Sequence, residues 1–161
     1  MVVSLVLSRL DYGSATLVGL PAYQIDRLQS VLNAAARLVY SSRRYDHVTP
    51  LLREQNWLRM SQRIDYKLAV LVCRCLNGLA PSYLANDLQC VADLATRRCL
   101  RSASTSTLVV PVTRLSTVGD RAFPVAAARV WNSQPADVTS SPSLSTFKGR
   151  LKTGLFVRSY P

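Results

Sequence analysis

The steps between apolar residues constrain this chain most. Ile64, Leu68, Leu71, Cys75 and Leu79 recur at intervals of four, three, four and four, the spacing that lines side chains up on one face of an α-helix. Arg63, Lys67 and Arg74 follow one another at four and seven, so they share a second face, about 100° round from the apolar seam. The pattern predicts a helix over residues 61–77 with a seam and a basic ridge. Ser61 is its expected cap and Gly78 its stop.

The same spacing recurs elsewhere. Residues 2–11 read as a short helix stopped by Gly13, and Pro21 to about Tyr40 as a long one. In the latter, Ile25, Leu28, Leu32, Ala35 and Val39 form a stripe suited to core packing. A basic, polar turn covers Ser41 to Asp46. Thr49-Pro50 starts a short helix ending near Asn56, with Thr49 as cap and Pro50 in its first turn. Trp57, Leu58 and Met60 should anchor the next segment in the core, and Pro81 opens one more helix to about Leu88.

Residues 94–107 break the periodicity. Arg97, Arg98 and Arg101 precede the string SASTST there, the composition of a basic linker. Leu108 to Val112 is rich in β-formers, but Pro111 restricts it to an edge strand or extended segment. Gly119-Asp120 then opens a helix holding Phe123, Ala127, Val130 and Trp131, with Pro124 in its first turn. Pro135 and Pro142 mark a loop. Ser143 or Ser145 caps a last helix, whose stripe is Leu144, Phe147, Leu151 and Leu155 and whose basic residues are Lys148, Arg150 and Lys152. The expected fold is mainly α: a helical bundle over 1–92, a basic linker and short extended segment over 93–115, and a C-terminal helical piece over 116–161. There is no internal repeat.

Charge bears on function. Twenty Lys+Arg against nine Asp+Glu give +11, and seventeen of the twenty are Arg, whose planar fork matches phosphate oxygens. The excess is uneven. Residues 1–96 hold ten basic and seven acidic groups, a net +3, whereas residues 97–161 hold ten and two, a net +8. Polyanions, above all nucleic acid, are the partners this field attracts. The three basic groupings (Arg63, Lys67 and Arg74; Arg97, Arg98 and Arg101; Lys148, Arg150 and Lys152) are candidate backbone-phosphate contacts. The alternative for each is an ordinary solvated surface. Aromatic residues, at 7%, sit mostly on core-like stripes, which favours phosphate contact over base stacking.

Catalytic signatures are sparse. The single histidine, His47, follows Asp46 directly, and neighbours on a turn point apart, so YDHVTP is better explained by local backbone bonding than by a dyad. No phosphate-cradling glycine motif and no carboxylate pair for two-metal nucleotidyl transfer occurs. Cys73, Cys75, Cys90 and Cys99 show no CxxC spacing, so neither a zinc site nor any other cofactor is expected, and four reduced thiols of an intracellular protein, in nucleus or cytoplasm, are. The apolar opening MVVSLVLSRL lacks the features of a secretion signal and suggests a frame that opens partway into a domain. No uncharged apolar run nears the roughly 18 residues of a membrane span. The longest candidate, Leu68 to Cys73, is bracketed by Lys67 and Arg74.

Eight strings occur in series: SRLDYGSATLVGLP, RLQSVLNAAARLV, YDHVTPLL, WLRMSQRIDYKL, LNGLAPSYL, LVVPVTR, GDRAFPVAAARVWNSQP and SLSTFKGRLKTGLF. Together they span essentially the whole chain. They closely resemble the C-terminal region of reverse transcriptases from non-LTR retrotransposons, the long interspersed elements of jockey and chicken-repeat type. The resemblance implies a helical thumb followed by a tail, a palm upstream that carries the catalytic aspartates, and thumb helices that grip the template–primer backbone. RNA, DNA or an RNA–DNA hybrid would be the partner, together with that palm. The chain departs from the resembled pattern at Gly13-Ser14, often Cys-Asn, and at Gln134, often Leu, and it has no zinc-knuckle segment of the kind some elements of this type carry at the C-terminus. The alternative is a structural or protein-interaction remnant of a truncated copy, self-associating through an exposed apolar seam.

Overall fold

The computed structural model describes residues 2–93 and 106–160, and it is mainly α. Among the described residues the α-helices are α1 Val2–Asp11, α2 Ala22–Val39, α3 Thr49–Glu54, α4 Met60–Leu76, α5 Ser82–Asn86, α6 Ser116–Gly119, α7 Phe123–Asn132, α8 Ala136–Thr139 and α9 Leu144–Ser159. The β-rich segment makes a single antiparallel bridge, Cys90 to Leu108. Two backbone bonds flank it, from Val91 N–H to the Thr107 carbonyl at 2.9 Å and from Val109 N–H to the Gln89 carbonyl at 2.8 Å.

The helix ends follow local chemistry. Gly78, at φ +68°, terminates α4 with Leu79 N–H bonded to the Arg74 carbonyl at 2.8 Å and Gly78 N–H to the Cys75 carbonyl at 3.2 Å; this pair of bonds needs a left-handed residue. The non-glycine residues Ser41 and Asn56, both at φ 51°, end α2 and α3 in the same way. Ser143 proves to be the cap of α9, its Oγ accepting the Thr146 N–H at 3.2 Å.

Three expectations are corrected. Ser61 does not cap α4. That helix begins at Met60, whose N–H is bonded by the Gln29 side chain at 2.8 Å, a cap supplied from α2. Thr49 lies inside α3, with Val48 at the cap position and no side-chain cap bond. Gly119-Asp120 does not open the long helix either. Residues 116–119 form α6, and α7 starts only at Phe123. A continuous helix would place Pro124 in its interior, where the missing N–H and the ring clash cost about 3 kcal/mol.

The chain divides into two compact units, Met1–Asp65 with Lys152–Pro161, and Tyr66–Leu151. In the first, Leu32, Ala35 and Ala36 of α2 meet Leu10, Leu52, Trp57, Met60, Ile64 and Tyr160 in one buried cluster. The Tyr160 hydroxyl donates to the Trp57 carbonyl at 2.8 Å, so the last turn of α9 is tied into this core. In the second unit the buried side chains include Leu68, Val72, Leu108, Trp131, Phe147 and Leu151. There Trp131 stacks on Phe147 at a centroid distance of 5.6 Å and donates its indole N–H to the Ser106 carbonyl at 2.8 Å.

Candidate nucleic-acid interface

The residues of the α4 ridge have different environments. Arg63 is only 14% exposed and grips Asp11 with both prongs, Nε to Oδ1 at 2.5 Å and a terminal nitrogen to Oδ2 at 3.2 Å. Its charge serves α1, and a phosphate would have to displace a bidentate carboxylate to reach it. Lys67 is half-buried, whereas Arg74 is exposed. The sequence placed these three residues on one face; it carried no signal of Asp11, 52 positions away.

Lys148, Arg150 and Lys152 are all exposed on α9, around a stripe in which Phe147, Leu151 and Leu155 are buried. At 100° per residue Lys148 and Lys152 lie about 40° apart, and Arg150 lies on the opposite flank of the stripe. The Arg150 guanidinium donates to the Asp137 carbonyl at 2.7 Å, which fixes its position without neutralising it. From Val138 to Pro161 there are four basic residues and no acidic one. No ion pair among the described residues involves Arg74, Lys148 or Lys152. Arg97, Arg98 and Arg101, with Cys99, lie outside the described residues.

Asp46 and His47 are exposed, and the Asp46 carboxylate accepts the Arg43 N–H at 2.7 Å while its carbonyl accepts Arg37 at 3.2 Å, the local backbone role expected of this turn. Cys73, Cys75 and Cys90 are unpaired thiols. Burial pushes all three up in pKa, with the Asn77 side chain and Lys148 opposing this at Cys73, so their thiolate forms are disfavoured. No group of potential ligands able to hold a metal occurs among the described residues, and no helix there is long and apolar enough to cross a membrane.

The periodic reading missed Arg53 and Arg59. They lie on either side of the left-handed Asn56, so no helical repeat connects them. The fold brings Arg59 over the Tyr160 ring at 5.4 Å, and burial pushes the Tyr160 hydroxyl up in pKa while the Arg59 and Arg53 charges oppose it. Phe156, whose ring packs on Tyr160 at 5.0 Å, lines a cleft of about 340 Å³ together with Asn56, Lys152 and Thr153.

Two carboxylates in this charged chain respond to pH with opposite signs. Burial raises the pKa of half-buried Asp65, partly offset by Arg158. The folded state then holds this proton more tightly than the unfolded state. Stability falls as pH rises from the ordinary carboxylate value through the raised one, and the penalty is complete above it. Asp120 is lowered by the bonds from Arg129 and Thr113, so its contribution is present above the ordinary value and lost as pH falls through the folded one. Asp65→Asn is expected to raise the thermal midpoint at pH 7 and to change its acid-side pH dependence. A lower midpoint at pH 7 would mean that the Arg158 attraction outweighs the burial cost.

No protein-family model, curated protein or solved structure matches the chain.

Proposed function

We propose that this chain is a non-catalytic nucleic-acid-binding segment, equivalent to the thumb-and-tail region of a non-LTR retrotransposon reverse transcriptase. The palm of such an enzyme would lie upstream, and the working location would be the nucleus or cytoplasm. The observation that carries the reading is α9: Lys148, Arg150 and Lys152 are exposed on both flanks of the buried stripe, within 24 residues that hold no Asp or Glu. Arg74 adds an exposed guanidinium that has no ion pair among the described residues. Exposed, uncompensated Lys and Arg are what a phosphate backbone requires, and their contacts are independent of base identity. The eight-string resemblance supplies the retroelement context.

The test is fluorescence anisotropy with a short RNA–DNA hybrid across a salt series, comparing the parent with an Arg74→Ala, Lys148→Ala double variant. The parent should lose affinity steeply as salt rises. The variant should show a shallower log–log slope, by about one for each phosphate contact removed. Parallel slopes, or negligible binding at low salt, would refute the reading.

A second reading, a protein-interaction or self-associating remnant, is favoured by one observation. A groove of about 610 Å³, lined by Leu17, Leu20, Leu28 and Val31 with Gln24, Arg27 and Ser30, is open on the first unit, and Tyr23 and Leu38 are also exposed on α2. Apolar surface of this kind fits a protein partner. Negligible hybrid binding combined with a mass that rises with concentration in light scattering would favour it.

A further inference from the structure

Tyr45 stands 92% exposed in the turn that follows α2. Hydrogen bonds fix the backbone that carries it. Ser41, at φ 51°, ends the helix, with Ser42 N–H bonded to the Arg37 carbonyl at 3.0 Å. Arg43 N–H donates to the Asp46 carboxylate at 2.7 Å, and Asp46 N–H returns a bond to the Arg43 carbonyl at 3.2 Å. The Arg37 side chain then donates to the Asp46 carbonyl at 3.2 Å. A tyrosine ring on backbone held in this way loses little freedom when it takes a partner, since only two side-chain torsions remain.

The charge beside the ring is mostly of one sign. Residues 37–47 hold three Arg and one Asp, a net +2. Arg43 and Arg44 immediately precede Tyr45, and both are exposed, with no ion pair among the described residues. The one carboxylate, Asp46, accepts the Arg43 backbone N–H. Tyr12, Tyr23 and Tyr83 are exposed too, but none of them follows an arginine pair, as Tyr45 does. A free aromatic face next to two guanidinium forks matches an unpaired nucleic-acid strand, in which a base stacks on the ring and the adjoining phosphates take the cations. A duplex offers the phosphates with its base faces already stacked, and an acidic side chain offers charge without a ring.

We propose that the 43–46 turn is a single-strand site, on which Tyr45 stacks one unpaired base while Arg43 and Arg44 hold the adjoining phosphates. The site goes beyond the functional reading above: it shares the ligand class but uses neither α9 nor Arg74.

The experiment is fluorescence anisotropy with the full chain and two labelled strands of twelve residues, oligothymidylate and an abasic sugar-phosphate strand. Oligothymidylate should bind the more tightly. Tyr45→Ala should weaken oligothymidylate by about fivefold or more, the size of one base stack, and leave the abasic strand unchanged. Tyr45→Phe keeps the ring and should bind as the parent does. Arg43→Gln combined with Arg44→Gln should weaken both strands and lower the salt slope by about one and a half. These side chains are exposed, and the bonds of the turn come from its backbone and from Arg37 and Asp46, so the fold should be unchanged in every variant. Equal affinity of the parent for the two strands, undiminished oligothymidylate binding in Tyr45→Ala, or a Tyr45→Phe as weak as Tyr45→Ala would overturn the site. Hybrid binding that depends on Arg74 and Lys148, with oligothymidylate indifferent to Tyr45, overturns this site alone. Oligothymidylate binding that depends on Tyr45, in a chain that ignores the hybrid, overturns the functional reading alone.

Discussion

Replacing Trp131 by alanine is expected to cost about 3–5 kcal/mol, the range for removing a large buried aromatic side chain. Trp131 is 4% exposed. It loses two things at once. The stack on Phe147 disappears, leaving a void beside α9, and the indole bond that holds the Ser106 carbonyl disappears with it. The neighbouring Asn132 still holds the extended segment, accepting the Leu108 N–H at 2.9 Å and donating to the Leu108 carbonyl at 2.8 Å, and so do the backbone bonds to Gln89 and Val91. Trp131→Phe retains a ring against Phe147 and gives up chiefly the indole bond, for which about 1 kcal/mol is expected. Urea denaturation followed by far-UV circular dichroism measures both. An alanine variant within 1 kcal/mol of the parent would mean that the stack contributes little to the second unit.

The contrast between Trp131 and its surroundings shows what the sequence can carry. The helical stripe that buries Phe147, Leu151 and Leu155 is a local repeat, and Gly78 and Ser143 act within one turn of their own helices. Such features are legible because the cause and the effect are a few residues apart. The Gln29 cap on α4, the Arg63–Asp11 pair and the Tyr160–Trp57 bond join residues 31, 52 and 103 positions apart, and no periodicity encodes them. The consequence for the candidate interface is direct. A basic ridge can be read from spacing, but whether each cation is exposed or already paired depends on partners that only the fold supplies. Arg63 is paired and Arg74 is exposed for this reason. Arg59 escaped notice for the converse reason: a left-handed break at Asn56 separates it from the preceding helix, and its place over Tyr160 is set 101 positions away.

Gly119→Ala is expected to destabilise the second unit by about 1–3 kcal/mol, the typical cost of forcing extra atoms into a packed site. The reason is steric. A Cβ at residue 119 would stand 2.6 Å from the Thr113 Cβ and 2.9 Å from its Cγ2, distances at which one of the two segments has to move. Neither moves freely. Gly119 N–H bonds the Leu115 carbonyl at 2.7 Å, and the Thr113 hydroxyl donates to Asp120 Oδ1 at 2.9 Å, an oxygen that also accepts from Arg129 at 3.0 Å. A shift that relieves the clash therefore pulls on the Thr113–Asp120–Arg129 network. The double-mutant cycle with Thr113→Gly separates the two effects. Thr113→Gly alone loses the bond to Asp120 and some backbone restriction. Once that side chain is gone, adding Gly119→Ala should cost little, because the atoms it collides with are absent. A favourable coupling energy of about 1–2 kcal/mol is the expected outcome from urea midpoints. Additive losses would show that residue 119 is limited by something other than Thr113.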